Sequence, residues 1–148
     1  MSQENVEIVK AAHPASGTEL TALFADDVDA PNRIEAAAPL FHAEFEFSTP
    51  TLGGVGFRVS GKGLPALAEA WREWMEPWEV YWTEVEEFLD AGEDRVVVML
   101  KDHGRLRGAE AEVEQVAASV WTLRDGKVAR IDFFPSRSQA LEAAGLRE

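Results

Sequence analysis

From Trp78 to Phe134 apolar and polar residues alternate with a period of two, broken only by short polar or glycine-bearing links. Four strands are predicted there, over residues 78–89, 95–105, 112–123 and 128–134. The links are Ala91-Gly92-Glu93-Asp94, the region 104–108, and Asp125-Gly126, a tight hairpin signal. None is long enough for a parallel crossover, so consecutive strands are expected to be antiparallel neighbours.

Upstream the period is helical. Ser2 is a candidate N-cap for a helix with Val6, Val9 and His13 on one face, stopped by Pro14. Thr18 opens a second helix with Leu20, Leu23 and Phe24 as its stripe, and Asn32 with Glu35 forms a capping-box pattern for a third, ending near Pro39. Residues 44–47 alternate as a strand, and 49–56, with one Pro and three Gly, read as a loop. Pro65 then suits the first turn of an amphipathic helix with Leu64, Leu67, Ala68, Trp71, Trp74 and Met75 on one face, ended by Pro77. Ser136, Gln139 and Gly145 supply a capping box and a glycine stop for a last helix. The expected architecture is α+β, a long antiparallel meander with helices laid on one sheet face.

Strands this long twist and curl, so a concave side with an apolar floor and an open mouth is expected, and a convex side flat enough to meet a second copy. Glu112 and Glu114 share a face with Val116, Ala118 and Val120, which predicts a face wet at one end and buried at the other.

Composition narrows the function. The 148 residues fit one domain, 1–148, with no internal repeat or linker, and 46% hydrophobic residues suffice for a core. Lys plus Arg total 14 against 27 Asp plus Glu, a formal charge of -13 that repels nucleic acid and anionic membrane. No cysteine is present, which excludes disulfides and thiolate chemistry. The longest apolar run, 96–100, is strand-sized, and the opening residues lack a secretory pattern, so a cytoplasmic protein is expected. Gly53-Gly54-Val55-Gly56 lacks the Lys of a phosphate cradle, and Ser136 lacks the turn of a nucleophile. His13, His42 and His103 have no ligand spacing, so no metal is expected.

Several segments are similar to bacterial SnoaL-like proteins. They are Ser2-Gln3-Glu4-Asn5-Val6-Glu7-Ile8-Val9, Val85-Glu86-Glu87-Phe88-Leu89-Asp90-Ala91-Gly92, Val120-Trp121-Thr122-Leu123-Arg124-Asp125-Gly126-Lys127-Val128 and Ala140-Leu141-Glu142-Ala143-Ala144-Gly145-Leu146. These proteins belong to the nuclear-transport-factor-2-like superfamily, with ketosteroid isomerase, limonene epoxide hydrolase and polyketide cyclases. The resemblance implies a cone of curved antiparallel sheet wrapped around N-terminal helices, a homodimer formed through the convex face, and a pocket in the cone. No cofactor is expected, since a few inward polar groups suffice for proton transfer, and the fold alone does not supply a reaction.

Asp132, near the end of the last strand, resembles a position where relatives place a pocket-facing residue, and it is the expected general base. Burial of Ile131 and Phe133 would instead leave Arg130 and Asp132 solvated. His103 would shuttle a proton, or else sit on the outer rim among Lys101, Asp102 and Arg105. His13 stands where ketosteroid isomerase carries a tyrosine that stabilises an oxyanion, and its alternative is a hydrogen-bonded core histidine. Tyr81, Trp71, Trp121 and Phe134 are the expected ligand-contacting rings, suited to a flat or polycyclic molecule. The Arg-x-Asp motif of the epoxide hydrolase reads Lys101-Asp102-His103 here, against epoxide hydrolysis. Three readings stand open: a cofactor-free isomerase, cyclase or hydrolase acting on an apolar carbonyl-type compound, a non-catalytic binder of an apolar ligand, and a dimeric interaction protein whose cavity is filled by its own tryptophans.

Overall fold

The computed structural model describes residues 2–49 and 59–146. Its elements, in chain order, are α1 (Ser2–Ala12), α2 (Leu20–Leu23), α3 (Ala30–Ala37), a 3-10 turn (Ala38–Leu40), β1 (Phe41–Thr49), β2 (Val59–Lys62), α4 (Leu64–Met75), β3 (Trp78–Gly92), β4 (Arg95–Leu106), β5 (Val113–Arg124), β6 (Lys127–Phe134) and α5 (Arg137–Ala143). The sheet has six strands in the order β2-β1-β6-β5-β4-β3.

The four expected C-terminal strands form and pair antiparallel as the short links require. Asp125 and Gly126, both at positive φ, make the β5–β6 hairpin. Two features were not legible in the pattern. β1 lies parallel to β6, Phe47 opposite Ile131, and β2 pairs antiparallel with β1. The four residues of β2 are too few to show a period. Most of the expected loop 49–56 lies outside the described residues.

Among the helices, α4 follows its pattern, with Pro65 in the first turn. Ser136 caps α5 by accepting from the Gln139 N–H at 3.3 Å. The third helix departs from expectation: it begins at Ala30 after Asp29, whose N–H donates to the Asp27 carboxylate at 3.0 Å, and Asn32 lies within it. Pro31 in its first turn needs no N–H partner, so the helix starts ahead of the candidate cap.

Register shifts interrupt β3 between Trp78 and Val80, Val85 and Glu87, and Asp90 and Gly92. Each extra residue bends the strand and sharpens its twist, and the sheet curves accordingly. The inner face packs Val96, Val98, Leu100, Trp121, Leu123, Val128 and Ile131 against Val6 and Val9 of α1, with Leu64 and Leu67 of α4 beside them. The outer face buries Val97, Met99, Ala118 and Val120 under Ala140 and Ala144 of α5, which Arg137 ties to Glu86 at the second bulge. Helices thus cover both faces, not one. Glu114 and Val116 stay exposed while Ala118 and Val120 are buried, so that strand face is wet at one end as its sequence implies.

Candidate active site on the inner face

Asp102 is the centre of a polar cluster on the inner face. Its Oδ2 accepts from the Tyr81 hydroxyl at 2.8 Å, and its Oδ1 from the Thr83 hydroxyl at 2.6 Å. All three side chains project the same way because Tyr81 opposes Gly104 and Thr83 opposes Asp102 across β3 and β4. The first bulge of β3 sets that register.

Burial pushes the Asp102 carboxyl above the usual carboxylate range, and the Thr83 and Tyr81 hydrogen bonds pull it partly back. Tyr81 holds its proton more tightly than a free phenol, through burial and then the adjacent Asp102 charge. A raised carboxylate flanked by two hydroxyls in an apolar surround is the environment of a general base.

His13, at the end of α1, faces the same space. Its Nδ1 lies 2.8 Å from the Pro14 carbonyl oxygen, and its ring packs against Phe88 and Trp121 with centroids 6.0 and 5.4 Å away. Desolvation lowers its proton affinity, while the Pro14 bond and the Asp102 charge work the other way. The segment after α1 is tied along the free edge of β3: Gly17 donates its N–H to the Thr83 carbonyl at 2.8 Å, and Val85 donates to the Ser16 hydroxyl at 2.9 Å. That tie occupies an otherwise open sheet edge and holds His13 beside the Asp102 cluster.

The aromatic rings extend the surface. Trp71 stacks on Phe24 at 5.5 Å and meets Phe133 edge-on at 5.4 Å, and Trp78 meets Tyr81 at 5.0 Å. Trp121 is buried, its indole N–H donating to Ser119 at 2.8 Å. His13, Phe24, Trp71, Trp78, Phe88, Asp102 and Phe133 are all half-buried, so the carboxylate and the rings around it keep some exposure where α1, α2 and α4 meet the inner sheet face.

Of the expected site residues, the structure brings together His13, Tyr81, Trp71 and Trp121 on the inner face. It places Asp132, His103 and Phe134 on the outer one. Asp132 shares its parity with Val120, and Ile131 and Phe133 take the inner positions. Its carboxylate accepts from Arg130 Nε at 2.9 and 3.0 Å and from Ser48 at 2.6 Å, and Arg130 also holds Glu46. An open depression of about 350 Å³ borders this network, lined by Glu46, Ser48, Lys62 and Arg130 among others, but its guanidinium is already bonded to carboxylates. His103 is buried on the outer face, stacked on Trp82 at 4.0 Å among Glu84, Glu112 and Glu114. Phe134 packs under α5. Asp102 and Thr83 were not foreseen as site residues. Among the described residues, no cluster of His, Asp and Glu could hold a metal ion, and no helix is long and apolar enough to cross a membrane.

The pH dependence of folding reports on His13. Because its folded proton affinity lies below the reference of 6.5, the unfolded chain takes up the proton first as pH falls. Stability is therefore lost as pH drops from about 6.5 through the folded value. His13→Phe keeps the packing against Phe88 and Trp121 and should flatten this acid-side decline in thermal melts between pH 7.5 and 5. An unchanged slope would mean that the imidazole is solvated.

The curved sheet with helices packed on it, and an acid held between two hydroxyls on its inner face, give the chain a fold similar to that of nuclear-transport-factor-2-like structures. The SnoaL-like domain matches residues 20–131, and the chain belongs to that family. It is similar in fold to TerC co-crystallised with polyporic acid, at 23% identity over 96% of this chain and 98% of that one, with a TM-score of 0.64. A hypothetical protein with a ketosteroid isomerase-like fold from Catenulispora acidiphila, in complex with trimethylamine, gives 19% identity, coverage of 95% and 93%, and a TM-score of 0.60. A phenazine biosynthesis-related protein from Pseudomonas aeruginosa gives 20%, coverage of 99% and 88%, and 0.59. At these identities the likeness establishes the fold. No curated protein matches the chain significantly.

Proposed function

We propose that the protein binds a flat, largely apolar small molecule in the inner cleft and moves a proton on it with Asp102 as general base. The observation that carries this reading is the Asp102 carboxylate, held by Tyr81 and Thr83 within a half-open wall of aromatic rings. Family membership and the ligand-bound fold neighbours support a small-molecule site.

In the step this arrangement favours, Asp102 accepts a proton from carbon beside a substrate carbonyl. The C–H electron pair moves into the carbon framework and the charge develops on the carbonyl oxygen. A protonated Asp102 no longer requires two donated hydrogen bonds, so the Tyr81 hydroxyl is freed to donate to that oxygen. Returning the proton to another carbon completes an isomerisation without a cofactor.

A bound 6-hydroxy-2-tetralone tests this. The protein should accelerate deuterium uptake next to its carbonyl, followed by NMR, and ligand binding should raise the melting temperature. Stabilisation without exchange would leave a non-catalytic binder, and neither effect would leave an interaction protein. A second copy would meet the outer face of β3–β5, on which Val116 stands 45% exposed and Trp82 is half-buried.

A further inference from the structure

The polar side chains gathered around Asp102 offer lone pairs, and their own protons are committed. The Pro14 carbonyl can only accept, so His13 Nδ1 must carry the ring hydrogen in the bond between them. Burial favours the neutral imidazole, whose Nε2 is then a bare acceptor with no partner among the described residues. Tyr81 and Thr83 each commit a hydroxyl proton to a different oxygen of Asp102. That pattern suits the carboxylate, because a carboxylic acid would have to donate through one of those oxygens. The Trp121 indole proton is committed to Ser119.

A ligand entering here meets a carboxylate, an imidazole lone pair and ring faces, and the donors among those rings are the uncharged indole N–H groups of Trp71 and Trp78. An anionic group would face Asp102, on which no Lys or Arg charge acts: Arg72 of α4 turns its Nε to the Phe24 carbonyl at 3.3 Å, and the guanidinium of Arg130 belongs to the other side of the sheet. A hydroxyl or ammonium group would find two acceptors, and an ammonium would gain the attraction of the rings.

We infer that the cleft selects ring-bearing ligands that bring their own hydrogen-bond donors, uncharged or cationic, and excludes carboxylates and other anions. The inference rests on the inner cleft being the ligand site, as proposed above, and narrows its substrate class. It concerns binding of the ground state, before any proton has moved.

Four probes of similar shape separate the possibilities by tryptophan fluorescence and calorimetry: 2-naphthol, 2-naphthylmethylamine, 2-methoxynaphthalene and 2-naphthoate. The naphthol and the amine should bind about tenfold or more tighter than the methoxy compound, the worth of a hydrogen bond to a charged group, and naphthoate should bind weakest. In Asp102→Asn the advantage of the amine over the methoxy compound should collapse while the methoxy affinity stays. Naphthoate or methoxynaphthalene binding as tightly as naphthol would overturn the donor rule and leave the cleft reading intact. If none of the four binds, the cleft reading fails and the rule with it.

Discussion

Asp102→Asn should lower any turnover at this site by about 10²–10⁴-fold, the usual worth of a positioned acid–base group, without unfolding the protein. Asn matches Asp in shape, its amide oxygen can still accept one of the two hydroxyls, and its NH2 can donate to the other, so the cluster with Tyr81 and Thr83 has a way to re-form. The folded-state proton affinity of Asp102 is raised above its reference of 3.8. The folded protein therefore binds this proton more tightly than the unfolded chain, so the associated stability is present in acid and lost as pH rises through the folded value. At neutral pH the native protein carries the cost of a charged, desolvated carboxylate, which Asn does not. The variant should accordingly melt at the same temperature or higher at pH 7, with its advantage vanishing near pH 4. Full activity in the variant, or a melt several degrees lower at pH 7, would remove Asp102 from the role of strained base.

Gly104→Ala should be the most damaging single methyl in the site. Gly104 sits on β4 opposite Tyr81, and a Cβ built there would lie 2.7 Å from two ring carbons of Trp78 and 3.0 Å from Tyr81 Cδ2. Such contacts lie well inside van der Waals distance, so the indole must move, and Tyr81, packed against it at 5.0 Å, must move too. Overpacking of this kind costs about 1–3 kcal/mol, or a drop of roughly 2–4 °C per kcal/mol for a chain near this size. Displacing Tyr81 also removes one of the two hydroxyls from Asp102, so ligand affinity should fall together with stability. Trp78→Leu in the same chain makes room for the methyl, and the double variant should recover part of both losses. A Gly104→Ala protein as stable as the parent would show that the Trp78 ring is loosely held.

The positions of Asp102 and Asp132 illustrate what a strand pattern can and cannot reveal. Residues 128–134 alternate, but alternation alone does not say which parity faces the helices, and both parities offer apolar residues. In β4 the ambiguity is greater, because Val96, Val97, Val98, Met99 and Leu100 are all buried. α1 covers one face of that run and α5 the other, so no polar position marks the outside. Asp102 and His103 are adjacent and must point opposite ways. The aspartate shares parity with Val96, Val98 and Leu100, and that was the available signal, cancelled by Val97 and Met99 on the parity of His103.

Local chemistry by itself determined the helices, the strands from Trp78 to Phe134, their antiparallel links and the family, because periodicity, capping residues and turn residues act over a few positions. The parallel placement of β1 on β6, the choice of inner face, and the meeting of His13 with Tyr81, Thr83 and Asp102 were decided only in three dimensions. These depend on which apolar face finds a covering helix and on bulges that reset the register, and both are properties of the packed chain as a whole.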